Sequence, residues 1–415
     1  MKNKWLEHTG LKDPTCALKF GWSTIRLSEG TTASCHRTDS DQIINFENFH
    51  NTPIKQQTRK DMLAGKWPGY GCQYCQKIED AGGISDRNQA NSMNPKHFST
   101  DSCTMLEVYF SNLCNQACVY CSAEYSSTWE AENKKWGLPQ DIMPHAKEFL
   151  SDKNNYKRIL AEFWEWMENN HQGLVKYNIL GGEPFYQPEL EQNLDFFEDY
   201  PCPNLELSIF TNLKVRNKKL VDIMDRLRFL EATNHLGSVR IICSIDSWGD
   251  SYEYIRWGGH MDEWERNYST LKQYDFQETE IHMTINILSI KQMPELVNLL
   301  NKYSWSYISA NFVVWPFHME PGIFPKGFFK EDFKRLYEML EQYTSKKFGT
   351  HAAKDYIDIF RGYEKAIDNT PVDYSKINTL KEELTDVDRR RGCDWKKTFP
   401  WLNEFQNDMY IDTIL

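Results

Sequence analysis

The sequence has 415 residues, of which 40% are hydrophobic and 14% aromatic, and its formal net charge is −11. A chain of this size and apolar content buries one barrel-sized core with additions. The acidic balance argues against the broad basic surface that non-specific binding to nucleic acid needs. The sequence has no run of about 18 apolar residues and no signal-peptide pattern at its N-terminus. We therefore predict a cytoplasmic protein without membrane association.

Residues 1–100 are rich in Gly, Asn, Ser and Thr, which indicates a small irregular domain held by metal. The chain has 11 cysteines. Without a secretion signal they indicate metal ligands and free thiols rather than disulfides. This region contains Cys16, Cys35 and the pair Cys72-Gln-Tyr-Cys75. Four thiolates complete the ligand set of a [4Fe–4S] cluster, and they also satisfy a structural zinc ion.

Residues 101–325 alternate short β-branched or aromatic runs with amphipathic helical stretches, the pattern of βα units around a parallel sheet. Six such units predict an α/β fold, a partial (β/α)6 TIM-like barrel. The predicted strands are Leu106 to Phe110, Tyr177 to Leu180, Leu205 to Phe210, Val239 to Ile245, Ile281 to Ile287 and Asn311 to Trp315.

Directly after the first predicted strand comes the run Cys114-Asn-Gln-Ala-Cys118-Val-Tyr-Cys121. Cys thiolates are the usual protein ligands of [4Fe–4S] clusters. Three thiolates on one loop leave the fourth iron without a protein ligand, and an open iron is a site for chemistry. A zinc site is the alternative, although structural zinc sites usually combine Cys pairs that are far apart in sequence.

Residues 326–415 are charged and predominantly helical in pattern, and they form a predicted helical C-terminal extension. Helices are predicted over residues 328–343 and 352–367. Cys393 lies between Gly392 and Asp394 in a predicted loop. A loop there can reach the active site, so we treat Cys393 as a candidate for a redox or ligand role.

The three-cysteine run, with Tyr120 before its last Cys, resembles the signature of radical S-adenosylmethionine (SAM) enzymes, and the resemblance covers roughly residues 103–320. It implies that the open iron binds the amino and carboxylate groups of SAM. The second predicted strand ends in Gly181-Gly182-Glu183-Pro184, which is similar to the GGEP motif of that family. The resemblance places this motif at the SAM amino group, where glycines allow close approach and Glu accepts from an ammonium.

The later strand ends continue the resemblance. It implies that Ser244 and Asp246 face the ribose and that Arg256 pairs with the SAM carboxylate through two hydrogen bonds. Each of three residues has an alternative role. Arg256 can form a surface ion pair, Asn286 can cap the core, and Tyr120 can be an ordinary core residue. The implied cofactor-binding residues are Tyr120, Gly181, Gly182, Glu183, Pro184, Thr211, Asn212, Ser244, Asp246, Arg256 and Asn286.

The N-terminal cysteines resemble the auxiliary-cluster region of SPASM and twitch radical SAM proteins. Cys16 is followed after 13 residues by Gly30 and after four more by Cys35, and the Cys72/Cys75 pair comes later. In that family the region follows the barrel, whereas here it precedes it. The resemblance implies an auxiliary [4Fe–4S] cluster for electron transfer, with zinc as the alternative.

Taken together, the resemblance implies an oxidoreductase or peptide-modifying enzyme. It would cleave SAM reductively to a 5′-deoxyadenosyl radical and remove a hydrogen atom from a peptide or small molecule. Its reductant would be a flavodoxin or ferredoxin. Two alternatives remain open: a small-metabolite dehydrogenase or epimerase of the same superfamily, and a non-catalytic iron–sulfur or zinc scaffold.

Overall fold

A computed structural model describes residues 4–69, 71–80, 84–93, 98–99, 102–140, 144–274, 276, 278–303, 307–348 and 350–405. The chain divides into two compact units, each built from three segments. The first unit comprises Met1–Cys114, Asp141–Phe210 and Val221–Ile241, and the second comprises Asn115–Gln140, Thr211–Leu220 and Ile242–Leu415.

The strands found in the described ranges are β1 (Trp22–Arg26), β2 (Thr31–Ala33), β3 (Asp41–Gln42), β4 (Met105–Tyr109), β5 (Lys176–Leu180), β6 (Cys202–Thr211), β7 (Leu236–Ser244), β8 (Glu278–Ile285) and β9 (Tyr307–Phe312). Strands β4 to β9 correspond to the six predicted strands, with ends shifted by up to a few residues. A helix follows each of them before the next element of the sheet or the C-terminal region begins. The predicted α/β fold class, with a parallel sheet and a helical C-terminal region, is confirmed.

The helices of the described residues are α1 (Lys4–Thr9), α2 (Leu18–Gly21), α3 (Pro53–Leu63), α4 (Gln73–Asp80), α5 (Asp86–Ser92), α6 (Ser127–Trp136), α7 (Pro144–Ser151), α8 (Lys153–Asn170), α9 (Pro188–Asp199), α10 (Asn217–Ala232), α11 (Gly249–Ile255), α12 (Met261–Leu271), α13 (Met293–Leu300), α14 (Lys330–Phe348), α15 (Thr350–Asn369), α16 (Tyr374–Arg391), α17 (Trp395–Thr398) and α18 (Pro400–Glu404). Among these described segments, none is both long and apolar enough to span a membrane.

In the first unit the strand order is β3-β2-β1-β4-β5-β6-β7. Strand β1 runs parallel to β4, with Trp22 opposite Met105, and antiparallel to β2. The N-terminal region therefore contributes three strands to the sheet, whereas the sequence predicted an irregular domain there. These strands are short and polar, so they lack the apolar alternation that marks a strand. The predicted domain boundaries near residues 100 and 325 stay predictions.

The centre of the first unit's sheet is buried on both faces. In β4, Leu106, Glu107 and Val108 are all buried, as are Tyr177, Asn178 and Ile179 in β5. Consecutive buried residues are typical of a parallel strand that is covered on both sides. This packing holds the carboxyl ends of β4 and β5 in place, and the loops that follow them carry the candidate motifs.

In the second unit the last residues of β7 are followed in the sheet by β8 and then β9. Strands β8 and β9 are parallel, with Glu280 opposite Tyr307. The C-terminal helices α14 and α15 contain the two helices predicted from periodicity. They bury apolar residues spaced for one helix face, such as Leu336 and Leu340 on α14.

Candidate functional site

The three-cysteine run forms the loop after β4. Cys114 is the last residue of the first unit's leading segment, and the rest of the loop belongs to the second unit. Two backbone hydrogen bonds hold the central part: Ala117 N donates to Trp257 O (2.9 Å) and Val119 N donates to Ile255 O (2.8 Å). A sharp turn, in which Cys121 N donates to Cys118 O at 2.8 Å, closes it. The loop is therefore attached to the end of α11.

The thiol of Cys118 lies in a buried, charged environment. Burial raises the pKa of this thiol; the Arg256 guanidinium lowers it and the Asp246 carboxylate raises it. Its Sγ atom is 3.8 Å from Gln116 Oε1. A buried thiol with a raised pKa is a poor nucleophile, and metal binding is what would stabilise its thiolate.

The thiols have a donor set that fits iron–sulfur binding, and all 11 cysteines are free of disulfides. Within the described ranges, however, no three His, Cys, Asp or Glu side chains converge as they would around a metal ion. Cluster binding therefore requires the thiols of Cys114, Cys118 and Cys121 to turn from their present orientations.

The Gly-Gly turn after β5 packs tightly against the start of the cysteine loop. Gly181 and Gly182 have φ angles of +82° and +53°. A Cβ atom on Gly182 would lie 2.4 Å from Leu113 O, and one on Gly181 would lie 2.7 Å from Tyr109. Glu183 N donates to Leu113 O at 2.9 Å. Only glycines permit this approach of one chain segment to the other, so the turn and Leu113, the neighbour of Cys114, are positioned together.

Glu183 is buried, with one carboxylate oxygen accepting from Phe185 N at 3.0 Å, and Pro184 begins the single helical turn that follows. Gln187 was not identified from the sequence. Its amide donates to Leu113 O (3.1 Å) and Gly181 O (2.7 Å), and so it ties the turn to the cysteine loop. A Gln three residues after a motif gives no signal in a single sequence.

Asp246 and Arg256 form a buried ion pair in the second unit. Arg256 Nε and Nη2 lie 2.8 and 3.0 Å from the two carboxylate oxygens of Asp246. Tyr120 OH also donates to this carboxylate at 2.7 Å, as does Thr284 N at 2.8 Å. Burial alone would lower the pKa of Arg256, but Asp246 raises it well above its ordinary value. The structure thus unites Tyr120, Asp246 and Arg256 beside Cys118.

This pairing differs from the sequence-based assignment, in which Arg256 binds the SAM carboxylate and Asp246 faces the ribose. In the structure, Arg256 and Asp246 instead bind each other. Both side chains are almost completely buried, with Arg256 6% and Asp246 1% exposed. Their role in the present arrangement is to hold Tyr120 and the cysteine loop. The pKa of Tyr120 is raised well above its ordinary value, first by burial, so its hydroxyl stays protonated and donates.

Thr211 and Asn212 lie at the end of β6 and are engaged in local turns. Thr211 Oγ1 accepts from Leu213 N at 3.0 Å, and Asn212 Oδ1 accepts from Lys214 N at 2.8 Å. The amide of Asn212 also donates to Asn115 Oδ1 at 3.0 Å. Asn212 therefore connects the end of β6 to the residue that follows Cys114.

Ser244 is half-buried at the end of β7. Asn286 is fully buried just after β8, where Oδ1 accepts from Leu288 N and Nδ2 donates to Thr284 O, both at 3.0 Å. Both polar groups of Asn286 thus form hydrogen bonds within the turn that contains this residue. This arrangement is the core-capping alternative for Asn286.

The four N-terminal cysteines belong to the first unit and interact electrostatically, although no three of their thiols converge as they would around a metal ion in the part of the chain that the structure describes. Burial raises the pKa of Cys16 to about 12 and that of Cys35 to about 11, and each of these thiols interacts electrostatically with Cys75. Cys72 also interacts with Cys75, and Cys16 and Cys72 pack in one apolar cluster. The charge of buried Lys19 lowers the pKa of Cys16, Cys35 and Cys72. The donor set fits a four-thiolate cluster or zinc.

Cys393 lies outside these groups but near the second unit's site. Its thiol donates to Asp388 Oδ1 at 3.2 Å, and Tyr254 OH donates to the same oxygen at 2.8 Å. Burial, together with the bond to Asp388, raises the pKa of Cys393 to about 12. The sequence singled out this loop for its cysteine and missed the neighbouring Arg391, whose only signal was a run of three arginines.

Residues 108–300 match the model of the Radical SAM superfamily. Comparison with curated proteins gives no match. Among solved structures, Streptococcus suis SuiB bound to S-adenosylmethionine is 16% identical, with 58% of this chain and 47% of that chain covered and a TM-score of 0.37. Native anSMEcpe with bound AdoMet is 16% identical, with 57% and 59% covered and a TM-score of 0.36. The chain thus spans about half to three fifths of the length of these two proteins.

Proposed function

We propose that this chain, whose residues 108–300 match the Radical SAM superfamily model, is an enzyme that cleaves SAM reductively and removes a hydrogen atom from its substrate. Cys114, Cys118 and Cys121 would hold the [4Fe–4S] cluster. When bound, that cluster supplies one electron to SAM, which yields methionine and a 5′-deoxyadenosyl radical. The observation that carries the proposal is the cysteine loop itself, with three thiols in the family's spacing inside the matched range.

The residues around the cysteine loop support this assignment because they hold segments of the loop in place. The Asp246–Arg256 pair and Tyr120 fix the segment around Cys118. The Gly181-Gly182 turn and Gln187 fix Leu113, next to Cys114. In each unit, the part of the loop that belongs to that unit is thus held by hydrogen bonds.

The test is anaerobic reconstitution with iron and sulfide, followed by dithionite and SAM, with 5′-deoxyadenosine measured by mass spectrometry. We expect 5′-deoxyadenosine from the wild type and none from a variant with all three loop cysteines changed to Ala. A matched control is Cys243→Ala, which removes a fully buried thiol from β7. A fully iron-loaded wild type that forms no product would instead support the non-catalytic scaffold.

We further propose that Cys16, Cys35, Cys72 and Cys75 hold an auxiliary [4Fe–4S] cluster that exchanges electrons with the substrate radical. The mutual interactions of the four thiols and the nearby Lys19 support an anionic metal centre. Changing Cys72 and Cys75 to Ala should remove about four irons per chain. Loss of zinc without loss of iron would favour a structural zinc site.

The substrate is proposed to be a peptide or a small molecule, with a peptide favoured because the net charge of −11 suits a basic leader segment. A flavodoxin or ferredoxin is the proposed reductant. A small peptide gene beside this one would support a peptide substrate. A set of genes for small-metabolite conversion would support the dehydrogenase or epimerase alternative.

A further inference from the structure

Arg391, the last residue of α16, lies against the cysteine loop. Its guanidinium carbon is 4.4 Å from the ring centre of Trp129 and 5.6 Å from that of Trp257. Both tryptophans are attached to the loop, because Trp129 Nε1 donates to Cys118 O at 2.7 Å and Trp257 O accepts from Ala117 N at 2.9 Å. The C-terminal helical region thus places a cation against the two tryptophans that are bonded to the cysteine loop.

The charge of Arg391 is only partly balanced. One carboxylate, that of Glu132, is shared by two guanidinium groups: Oε2 is 2.9 Å from Arg391 Nε, and Oε1 is 2.6 Å from Arg390 Nη1. Arg390 has a second carboxylate, since its Nε lies 2.9 Å from Asp386 Oδ2. Arg391 has no second carboxylate among the ion pairs of the described residues.

The two terminal nitrogens of Arg391 are buried without a partner. Nη1 and Nη2 make no hydrogen bond to any described residue, although the side chain is only 2% exposed. A buried guanidinium normally pairs with an anion, and its two terminal nitrogens match the two oxygens of a carboxylate. Arg256, the other arginine beside Cys118, already has such a carboxylate in Asp246.

We propose that Nη1 and Nη2 of Arg391 bind the carboxylate of a molecule held beside the cysteine loop. The inference rests on the proposed function, which places SAM and a substrate there. The carboxylate belongs either to the methionine part of SAM or to the substrate, and both would meet the same pair of nitrogens.

The electrostatics of the site agree with this assignment. Burial lowers the pKa of Arg391, and Glu132 only partly counteracts that effect. A second carboxylate at Nη1 and Nη2 would stabilise the charged guanidinium further. The two tryptophan faces hold the guanidinium plane, so few rotamers are lost when an anion binds.

The test measures SAM binding to the reconstituted full-length protein by equilibrium dialysis. If the carboxylate is that of SAM, Arg391→Gln should raise the Kd for SAM by about 10- to 100-fold, the loss expected for hydrogen bonds to a charged group. Decarboxylated SAM should then bind the wild type and the variant equally. If the carboxylate is that of the substrate, the Kd for SAM should stay unchanged.

In the second case, acetate serves as the probe in chloride-free buffer. It should raise the melting temperature of the SAM-loaded wild type and not that of R391Q, while acetamide changes neither. If R391Q does not fold, Arg391→Lys keeps the charge but not the two-pronged geometry, and it should give the same differences at smaller size.

The matched control is Arg390→Gln, which disturbs the same Glu132 carboxylate while leaving Nη1 and Nη2 of Arg391 in place. Unchanged SAM and acetate binding in R391Q would overturn the inference, as would equal losses in R390Q and R391Q. The formation of 5′-deoxyadenosine by the wild type is scored separately. Its absence would reject the proposed function and leave the binding comparison valid.

Discussion

Asp246 is the residue on which most of the second unit's site depends. Its carboxylate accepts from Arg256, from the Tyr120 hydroxyl and from Thr284 N, and it is 1% exposed. A buried carboxylate that accepts several hydrogen bonds fixes the positions of all its donors. Here it links β7, β8, the end of α11 and the cysteine loop.

Replacement of Asp246 by Asn should lower the free energy of unfolding by about 3–5 kcal/mol, because Arg256 would be left buried without its counter-charge. Urea unfolding followed by circular dichroism measures this change. The control is Asp262→Asn, whose partner Arg266 is exposed and 4.0 Å away, and which should cost less than about 1 kcal/mol. Equal losses in the two variants would contradict the structural role of the pair.

Gly182 should tolerate Ala worse than Gly137 does, although both have positive φ angles, +53° and +68°. Left-handed backbone costs a residue with a Cβ roughly 1–2 kcal/mol at either position. At Gly182 the new Cβ would also meet Leu113 O at 2.4 Å, whereas at Gly137 it meets nothing within 4 Å. Thermal unfolding of G182A and G137A tests this. A smaller loss for G182A would show that the turn does not pack on Leu113.

At the scale of elements, α3 is joined to β1 by a buried polar network. Lys55 Nζ donates to Ser23 Oγ at 2.9 Å, and Ser23 Oγ lies 2.8 Å from His50 Nδ1. His50 Nε2 lies 2.9 Å from Phe20 O, which can only accept. The proton of neutral His50 is therefore on Nε2, and Nδ1 accepts from Ser23. A second proton on His50 would place a buried positive charge beside Lys55 and Arg59.

Acid should therefore weaken the folded state through His50. Burial, with the charges of Lys55 and Arg59, lowers the pKa of His50 from 6.5 to about 3. In the unfolded chain, His50 takes up its second proton near the ordinary pKa of 6.5. The contribution of neutral His50 to the free energy of unfolding is therefore fully present above pH 6.5 and is lost as the pH falls towards 3. Between about pH 7 and pH 5 the loss should be about 2 kcal/mol.

The variant His50→Gln isolates this effect, since Gln can still donate to Phe20 O and does not titrate. Urea unfolding at a series of pH values should show the stabilities of wild type and H50Q converging as the pH falls. Parallel curves would mean that His50 becomes protonated in the folded protein as readily as in the unfolded chain.

Across the whole molecule, the features that the sequence did not predict are those that depend on contacts between residues far apart in the chain. The six strands β4 to β9 were predictable because each is a buried apolar run with a helix after it. Strands β1 to β3 were not, because a short polar run such as Trp22–Arg26 becomes a strand only through its partner β4. Likewise, the Arg256–Asp246 pair and the position of Arg391 on Trp129 depend on contacts that residue spacing does not encode.

We propose that the loop from Cys114 to Cys121 makes this chain a SAM-cleaving enzyme. The most direct measurement compares 5′-deoxyadenosine formed per chain by the wild type and by Cys118→Ala, after anaerobic reconstitution and addition of dithionite and SAM. We predict product from the wild type and none above background from C118A, with Cys243→Ala in β7 as a control for loss of a thiol outside the loop. An iron-loaded wild type that forms no 5′-deoxyadenosine, or a C118A variant that forms as much as the wild type, would contradict this role of the loop.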